Sequence, residues 1–400
     1  KTIPMSPRKI LVLTYWSFAD ALVQTYTLPY LRIMLSVLPE GSKIFLVTLE
    51  RDGEIKTLPV EPGIENLRFR LYPFGLRAVV EWRKNLRTLR NFAQENSIDT
   101  IHAWCMPAGA IGYLLSKRTG LPLIIDSYEP HAESMVETGV WQPGGAAFRI
   151  LFHFEKKQTF HAKHLIAAAP GMRKYARDKF GFTGKLFVKP ACVDLELFTI
   201  REKNPALIRN LGLENKIVGV YAGKTGGLYF REEVFRFYAC CAEKWGDKFR
   251  LLLLSNMNRK VIESLAAGQG LPMECIIQNF VPHAQMPEWL SLADFGFTPV
   301  IPVPSKRYCS PVKDGEYWAA GLPVVITPGI SIDSDLIEAH NAGVVINGFS
   351  KPEIFKALNE LDALLQNESR SALQQRIRSL AVQYRNFDIA ENIYREIYGQ

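Results

Sequence analysis

Short apolar runs recur along this chain, each followed by a stretch of helical spacing, and that alternation restricts the fold more than any other feature. "RKILVLT" (8–14), Ile44 to Thr48, "DTIHAW" (99–104), "LPLIIDS" (121–127), "KHLIAAA" (163–169) and "KLFVKPACV" (185–193) read as strands. Leu28 to Leu38, Val80 to Gln94 and Ala108 to Thr119 read as helices between them. A strand that is apolar throughout needs cover on both faces, so the pattern predicts a parallel sheet of right-handed βαβ units. The alternation then restarts with "IVGVYAG" (217–223), helix Glu232 to Lys244, "FRLLLLS" (249–255), helix Lys260 to Ala267, "CIIQNFV" (275–281), helix Met286 to Leu292 and "FGFTPV" (295–300). Between the halves, "IREKNPALIRNLGLENK" (200–216) is polar, carries Pro205 and lacks a run that must be buried, which places the domain boundary there. Two α/β domains follow, 5–200 and 201–400, with ligands expected beyond the carboxyl ends of the strands.

The 400 residues are 48% hydrophobic and 22% charged, which excludes a disordered or fibrous chain. Met5 is the expected natural start, so residues 1–4 are left out of the fold reading. No apolar run approaches the roughly 20 residues needed to cross a bilayer, and no signal peptide pattern is present, so a cytosolic protein is expected. The cysteines at 105, 192, 240, 241, 275 and 309 show no CxxC spacing, as in a reducing compartment. A net charge of +8 favours an anionic partner: a nucleotide, a lipid phosphate, a membrane surface. Zinc-finger spacing, an RNP-type aromatic motif and a polybasic tail are all missing, so nucleic acid is not expected.

"SPVKDGEYWAAGLPVVITPG" (310–329) carries the most chemistry. Ser310 reads as an N-cap and Pro311 as the first helical position, so the helix opens at Val312 with the amides of Val312, Lys313 and Asp314 unpaired. Those amides, the partial positive charge of the helix end and the Lys313 ammonium suit a diphosphate. Glu316, about one turn on, can accept hydrogen bonds from ribose hydroxyls. Gly321 ends the helix and Pro323 opens the next strand. An ordinary capped helix with no ligand shows the same pattern.

This stretch, with "NFVPHAQMPEWLSLADFGFTP" (279–299) before it, resembles the donor-binding half of GT-B glycosyltransferases, in particular the retaining family 4 group. The likeness is specific from Ile276 to Thr327 and looser over "VYAGKTGGLY" (220–229), "KPACVDLELF" (189–198), "DTIHAW" and "IYREIY" (393–398). It implies two Rossmann-like domains facing each other across a cleft, the N-terminal one taking the acceptor and the C-terminal one the nucleotide sugar. The last helix is then expected to pack back toward the N-terminal domain. By the same resemblance Glu316 binds the donor ribose, Lys313 lies near the phosphates, and Gly223, Lys224 and Arg231 belong to the diphosphate loop. The turn of Phe280, Val281 and Pro282 is expected to pack on the base. Three departures stand out. Tyr308 occupies the position of the first glutamate of the family's Glu-x7-Glu pair, "WSFADA" (16–21) replaces its glycine turn, and the histidine usual after the strand 121–125 is missing there.

In that place stands "DSYEPHAES" (126–134), where Asp126, Glu129 and His131 are candidates for a general base or for orienting a sugar hydroxyl. His153, His161 and His164 lack zinc-site spacing, so no metal and no other cofactor is expected. "GKTGG" (223–227) lacks the spacing of a P-loop. In "EWRKNLRTLRNFA" (81–93), Trp82, Leu86, Leu89 and Ala93 share one helical face and Arg83, Arg87 and Arg90 another. The stripe has the width of ordinary core packing, and the alternative is a helix lying on an anionic membrane. The function expected is sugar transfer from a nucleoside diphosphate sugar to a glycan or lipid-linked acceptor, in the cytoplasm or at the inner face of the membrane. The alternatives are a non-catalytic nucleotide-sugar or glycan-binding scaffold and a nucleotide-sugar epimerase or hydrolase on the same fold.

Overall fold

The computed structural model describes residues 6–51, 61–72, 76–223 and 225–399, the side chains of 76–79 excepted; Met5 lies outside them. The chain forms two compact units, Lys1–Lys189 with Asp388–Gln400 and Pro190–Phe387. The polar stretch 200–216 falls within the second unit, where Asn204 caps the short helix Pro205–Asn210.

The first unit holds a parallel sheet of β1 (Lys9–Leu13), β2 (Lys43–Glu50), β3 (Ile64–Arg70), β4 (Thr100–Trp104), β5 (Leu123–Tyr128), β6 (His164–Ala167) and β7 (Leu186–Val188). Their order is β3-β2-β1-β4-β5-β6-β7. The second unit repeats the scheme with β8 (Ile217–Ala222), β9 (Phe249–Leu254), β10 (Ile276–Asn279), β11 (Phe295–Thr298), β12 (Val324–Ile326) and β13 (Gly343–Val345), ordered β10-β9-β8-β11-β12-β13. Both sheets wind outward from a central strand in one direction and then the other. The switch falls between β1 and β4 and between β8 and β11, and at such a switch the loops diverge and leave a crevice. These are two Rossmann-like domains.

The continuous apolar look of the strands has its cause in the second sheet. Val218, Val220, Leu252, Leu254, Val324 and Ile326 face one core, and Tyr221, Leu251, Leu253, Phe295, Phe297 and Val325 face the other. Alternate residues of one strand thus serve two helix layers. Among the helices, Leu86, Leu89 and Ala93 of Leu76–Glu95 are buried while Arg83, Arg87 and Arg90 are exposed, so this stripe is core packing. The edge strand β3, "IENLRFR", is mostly half-buried, and its charges hide it from a reading based on apolar runs. None of the six cysteines, all among the described residues, forms a disulfide.

Helix Ala146–His161 buries one carboxylate. Glu155 is 1% exposed; the Ala132 amide donates to its Oε1 at 2.8 Å, and among the described residues its Oε2 has no hydrogen-bond partner. Burial, aided by Glu133 and Glu129, pushes its pKa up to about 8. A carboxyl that binds its proton more tightly folded than unfolded contributes stability below the ordinary carboxylate range and loses it as pH rises through about 8. Glu155→Gln should therefore flatten the fall of the melting midpoint between about pH 5 and 9. A thermal scan across that range checks it; an unchanged slope means Glu155 is ionised in the folded protein.

Candidate active site

The second switch point is built by three segments. β8 ends at Ala222 and turns at Gly223, whose φ of 125° is one that side-chain-bearing residues rarely adopt. A Cβ there would stand 3.3 Å from the Lys313 Nζ. The helix Val312–Ala319 begins beside this turn, and its position is set from below. Gly296 in β11 leaves room for the Tyr317 ring, whose hydroxyl accepts a 3.1 Å hydrogen bond from the Ala222 amide. Strand end and helix start are thereby held in register.

Lys313 is half-buried, its Nζ 4.0 Å from the centroid of Tyr229 and 4.7 Å from that of Tyr221. Among the described residues its ammonium makes no hydrogen bond and no ion pair. Desolvation pulls its pKa down to about 8, against the opposing pull of Asp314 and Glu316. A cation held by two rings, without a carboxylate partner, beside the free amides of a helix start, is equipped to meet an anion.

One turn on, Glu316 accepts a 2.8 Å hydrogen bond from His283 Nε2. That bond chiefly raises the His283 pKa, and the ring also packs against Phe198 at 5.2 Å. Nothing in the spacing of 283 and 316 along the sequence announces this contact.

Several expected residues stand elsewhere. Ser310 does not cap the helix: Pro311 is the N-cap residue, and the Ser310 Oγ instead accepts from the Ala191 amide at 3.0 Å and from Arg385. Val312 is the first helical residue, as expected, and Gly321 follows the helix with φ 76°. Val281 turns into the core at 6% exposure and so cannot lie against a base, whereas Phe280 next to it is 67% exposed. Arg231 is exposed at the start of helix Glu232–Trp245, and Lys224 lies outside the described residues. Tyr308 closes the short turn Pro304–Tyr308.

In the first unit Asp126 is not on a loop. It sits in β5 at 1% exposure, 3.3 Å from Lys189 Nζ and 3.3 Å from His102 Nε2, and accepts 2.9 Å from the Tyr394 hydroxyl. Burial raises its pKa, but Lys189, His102 and Tyr394 together bring it below the ordinary value. Lys189, which the sequence reading passed over, lies 3.6 Å from the Tyr30 centroid. Asp126 is thus a structural anion that ties the terminal helix Phe387–Tyr398 to the sheet. Beyond it, Ser127 has φ 53° and breaks the register of β5 with β6. The chain then delivers Glu129 and His131, paired at 2.9 Å and both partly exposed. The loop after β1 is filled by Phe18, 2% exposed and pinned through its amide to Glu50 at 3.2 Å.

Residues 40–192 match the family model described as a glycosyl transferase 4-like domain. Solved structures add the fold. Sucrose-phosphate synthase from Thermosynechococcus elongatus has a TM-score of 0.75 to this chain at 15% identity, covering 98% of this chain and 100% of that one. HepE of Anabaena, in complex with UDP, gives 0.71 at 16% with the same coverage. The chain has the GT-B fold, and residues 40–192 are similar to a glycosyl transferase 4-like domain. WaaG, a glycosyltransferase involved in lipopolysaccharide biosynthesis, gives 0.72 at 16% identity, again covering 98% and 100%. No curated protein matches the sequence. The GT-B assignment rests on a sequence match in the first unit and a fold match over nearly the whole chain. Among the described residues no group of three His, Cys, Asp or Glu side chains is placed to hold a metal ion, and no helix is long and apolar enough to cross a membrane.

The Lys313 ammonium predicts a pH signature. Affinity for inorganic diphosphate, measured by calorimetry, should fall as pH rises through about 8, where the free lysine loses its proton. Lys313→Arg should remove that fall, because guanidinium stays charged throughout. A fall that survives in Lys313→Arg would assign the titration to another group.

Proposed function

We propose that the protein transfers a sugar, with retention, from a nucleoside diphosphate sugar to a glycan or lipid-linked acceptor in surface polysaccharide or lipid-linked glycan synthesis. The observation that carries the reading is the unneutralised Lys313 ammonium between Tyr221 and Tyr229, beside Gly223 and the start of helix Val312–Ala319. In this reading the Lys313 charge and the amides of Val312, Lys313 and Asp314 receive the diphosphate, whose charge grows as the glycosidic bond breaks. Gly223, Lys224 and Arg231 complete its loop, Glu316, held by His283, takes the ribose hydroxyls, and the exposed Phe280 covers the base. Pro311 sets the helix start, and Ser310 supports it from behind. Glu129 and His131 are assigned to the acceptor hydroxyl, a pair able to hold or move its proton. Lys313 supplies the positive charge for the leaving group, so the proposed chemistry calls on no cofactor. HepE, a protein of the same fold, is described in complex with UDP and glucose, which favours UDP among the candidate nucleotides.

The test is a thermal-shift panel of UDP-, GDP- and ADP-sugars on the parent, Lys313→Ala and Glu316→Ala. A donor that binds the folded protein raises its midpoint by mass action. One nucleotide series should raise the parent's midpoint and leave both variants unmoved; no response from any series overturns the donor-site reading. In turnover, Lys313→Ala should lower kcat/KM by at least about a hundredfold, through a raised KM for the donor together with a lower kcat.

The same reading includes a place at an anionic membrane. Along helix Ala146–His161 the solvent face carries Arg149, Ile150, His153, Lys156, Lys157 and Phe160, with Ile150 47% and Phe160 55% exposed and no acidic residue among them. Cations flanked by exposed apolar side chains suit an anionic lipid surface. Co-sedimentation with phosphatidylserine vesicles should weaken about tenfold when Lys156 and Lys157 are both changed to Glu. Equal recovery of parent and variant overturns this part.

A further inference from the structure

Beneath the first turn of helix Val312–Ala319 lies a cluster of charges sealed from solvent. Asp314 is 0% exposed, and Asp333 and Arg385 are 1% exposed. Thr298 donates to Asp314 Oδ1 at 2.5 Å, and Arg385 donates to Asp333 Oδ2 and to the Ser310 Oγ. The same guanidinium reaches the Ala191 carbonyl at 3.3 Å and lies 5.5 Å from the Trp318 ring centroid. Two carboxyl oxygens remain: Asp314 Oδ2 and Asp333 Oδ1 are buried and, among the described residues, have no hydrogen-bond partner if both groups are ionised. With both ionised the cluster also holds two anions against one cation. Such a buried excess charge is costly, and so is each orphaned oxygen.

One proton resolves both. Asp333 is the charged group that acts most strongly on Asp314, and each of the two carboxyls contributes one of the orphaned oxygens. Asp333 has the guanidinium, so it is the anion; Asp314 has only the Thr298 hydroxyl, so it is the acid. We propose that Asp314 is a neutral carboxylic acid donating its proton to Asp333, and that this buried proton, with Arg385, positions the turn 309–312 that presents Lys313. Asp314 Oδ1 then accepts from Thr298, its O–H donates to Asp333, and every oxygen of the pair is satisfied. Burial first, and Asp333 second, push the Asp314 carboxyl far above the ordinary carboxylate range, in agreement. Asp335, the other charge facing the pair, disfavours a second anion there, while Lys313 and Glu316 lie on the same helix. The helix is wedged against the cluster: a Cβ on Gly315 would meet Val193 Cγ1 at 2.9 Å and Arg385 Cγ at 3.3 Å. A shift of Arg385 therefore moves the helix start. Asp314 is a positioning residue, since it acts through Asp333 and Arg385.

The consequence for donor binding rests on the donor-site reading above; the proton itself does not. The infrared difference spectrum of parent against Asp314→Asn at about pH 7 should show a protonated carboxyl band in the parent that the variant lacks, where an unpaired Asp is normally ionised. Asp314→Asn keeps a donor toward Asp333 and an acceptor toward Thr298, so its midpoint at about pH 7 should stay close to the parent's. Asp333→Asn strips Arg385 of its anion and should cost at least about tenfold in UDP affinity with a lowered midpoint. The parent's midpoint should also fall with rising pH more steeply than that of Asp314→Asn, since a raised carboxyl pKa contributes stability at low pH and loses it as pH rises. A missing carboxyl band, or an Asp314→Asn variant as damaged as Asp333→Asn, overturns the shared proton. An Asp314→Ala variant that folds and keeps full UDP affinity overturns the positioning role. If UDP does not bind even the parent, the donor-site reading fails, while the infrared and midpoint results still decide the proton.

Discussion

The uncompensated charge of Lys313 is the constraint on which the second unit's site depends. A half-buried ammonium beside aromatic rings is tolerated because ring faces repay part of the lost hydration, yet its lowered pKa records that the repayment is incomplete. The surrounding geometry is organised to keep it in place. Gly223 removes the Cβ that would press on Nζ, Gly296 admits Tyr317, and Tyr317 fastens the end of β8 to the helix on which Lys313 stands. Each of these serves the closeness of one strand end to one helix start.

How far this was legible in the sequence depends on the range of the interaction. The strand and helix alternation, the helix opening at Val312 and the left-handed Gly321 all follow from neighbours in the chain, and the structure has them where the reading put them. Long-range pairings were invisible. Ser310 followed by Pro311 looks like a cap from local chemistry, but a distant guanidinium and the Ala191 amide claim its hydroxyl first. Asp126 at the end of an apolar run looks like a loop carboxylate reaching for substrate, because Lys189 and Tyr394 come to it only through the tertiary fold. His283 was missed for the same reason: only the fold brings it to Glu316.

Buried polar residues follow one rule in both units. The Asp126 group pairs one anion with Lys189 and neighbouring hydroxyl and imidazole groups, and so remains ionised. The Asp314 group has one guanidinium for two carboxyls, and so calls for a proton. The difference is a count of cations, not of burial, since all of these carboxyls are almost fully enclosed.

The same rule separates the two switch points chemically. At β1 and β4 the loop after β1 buries Phe18, and the nearby buried carboxylate is paired with Lys189. The residues that the loop after β5 offers, Glu129 and His131, are paired with each other. Such a pair suits a neutral hydroxyl better than a diphosphate, because an incoming anion would have to compete with the Glu129 carboxylate for the same imidazole. At β8 and β11 the arrangement differs: Gly223 turns beside the helix start, and among the described residues Lys313 makes no ion pair. Two sheets of one topology thus differ in the charge at their switch points: the first encloses a paired carboxylate, the second a lysine held by aromatic rings.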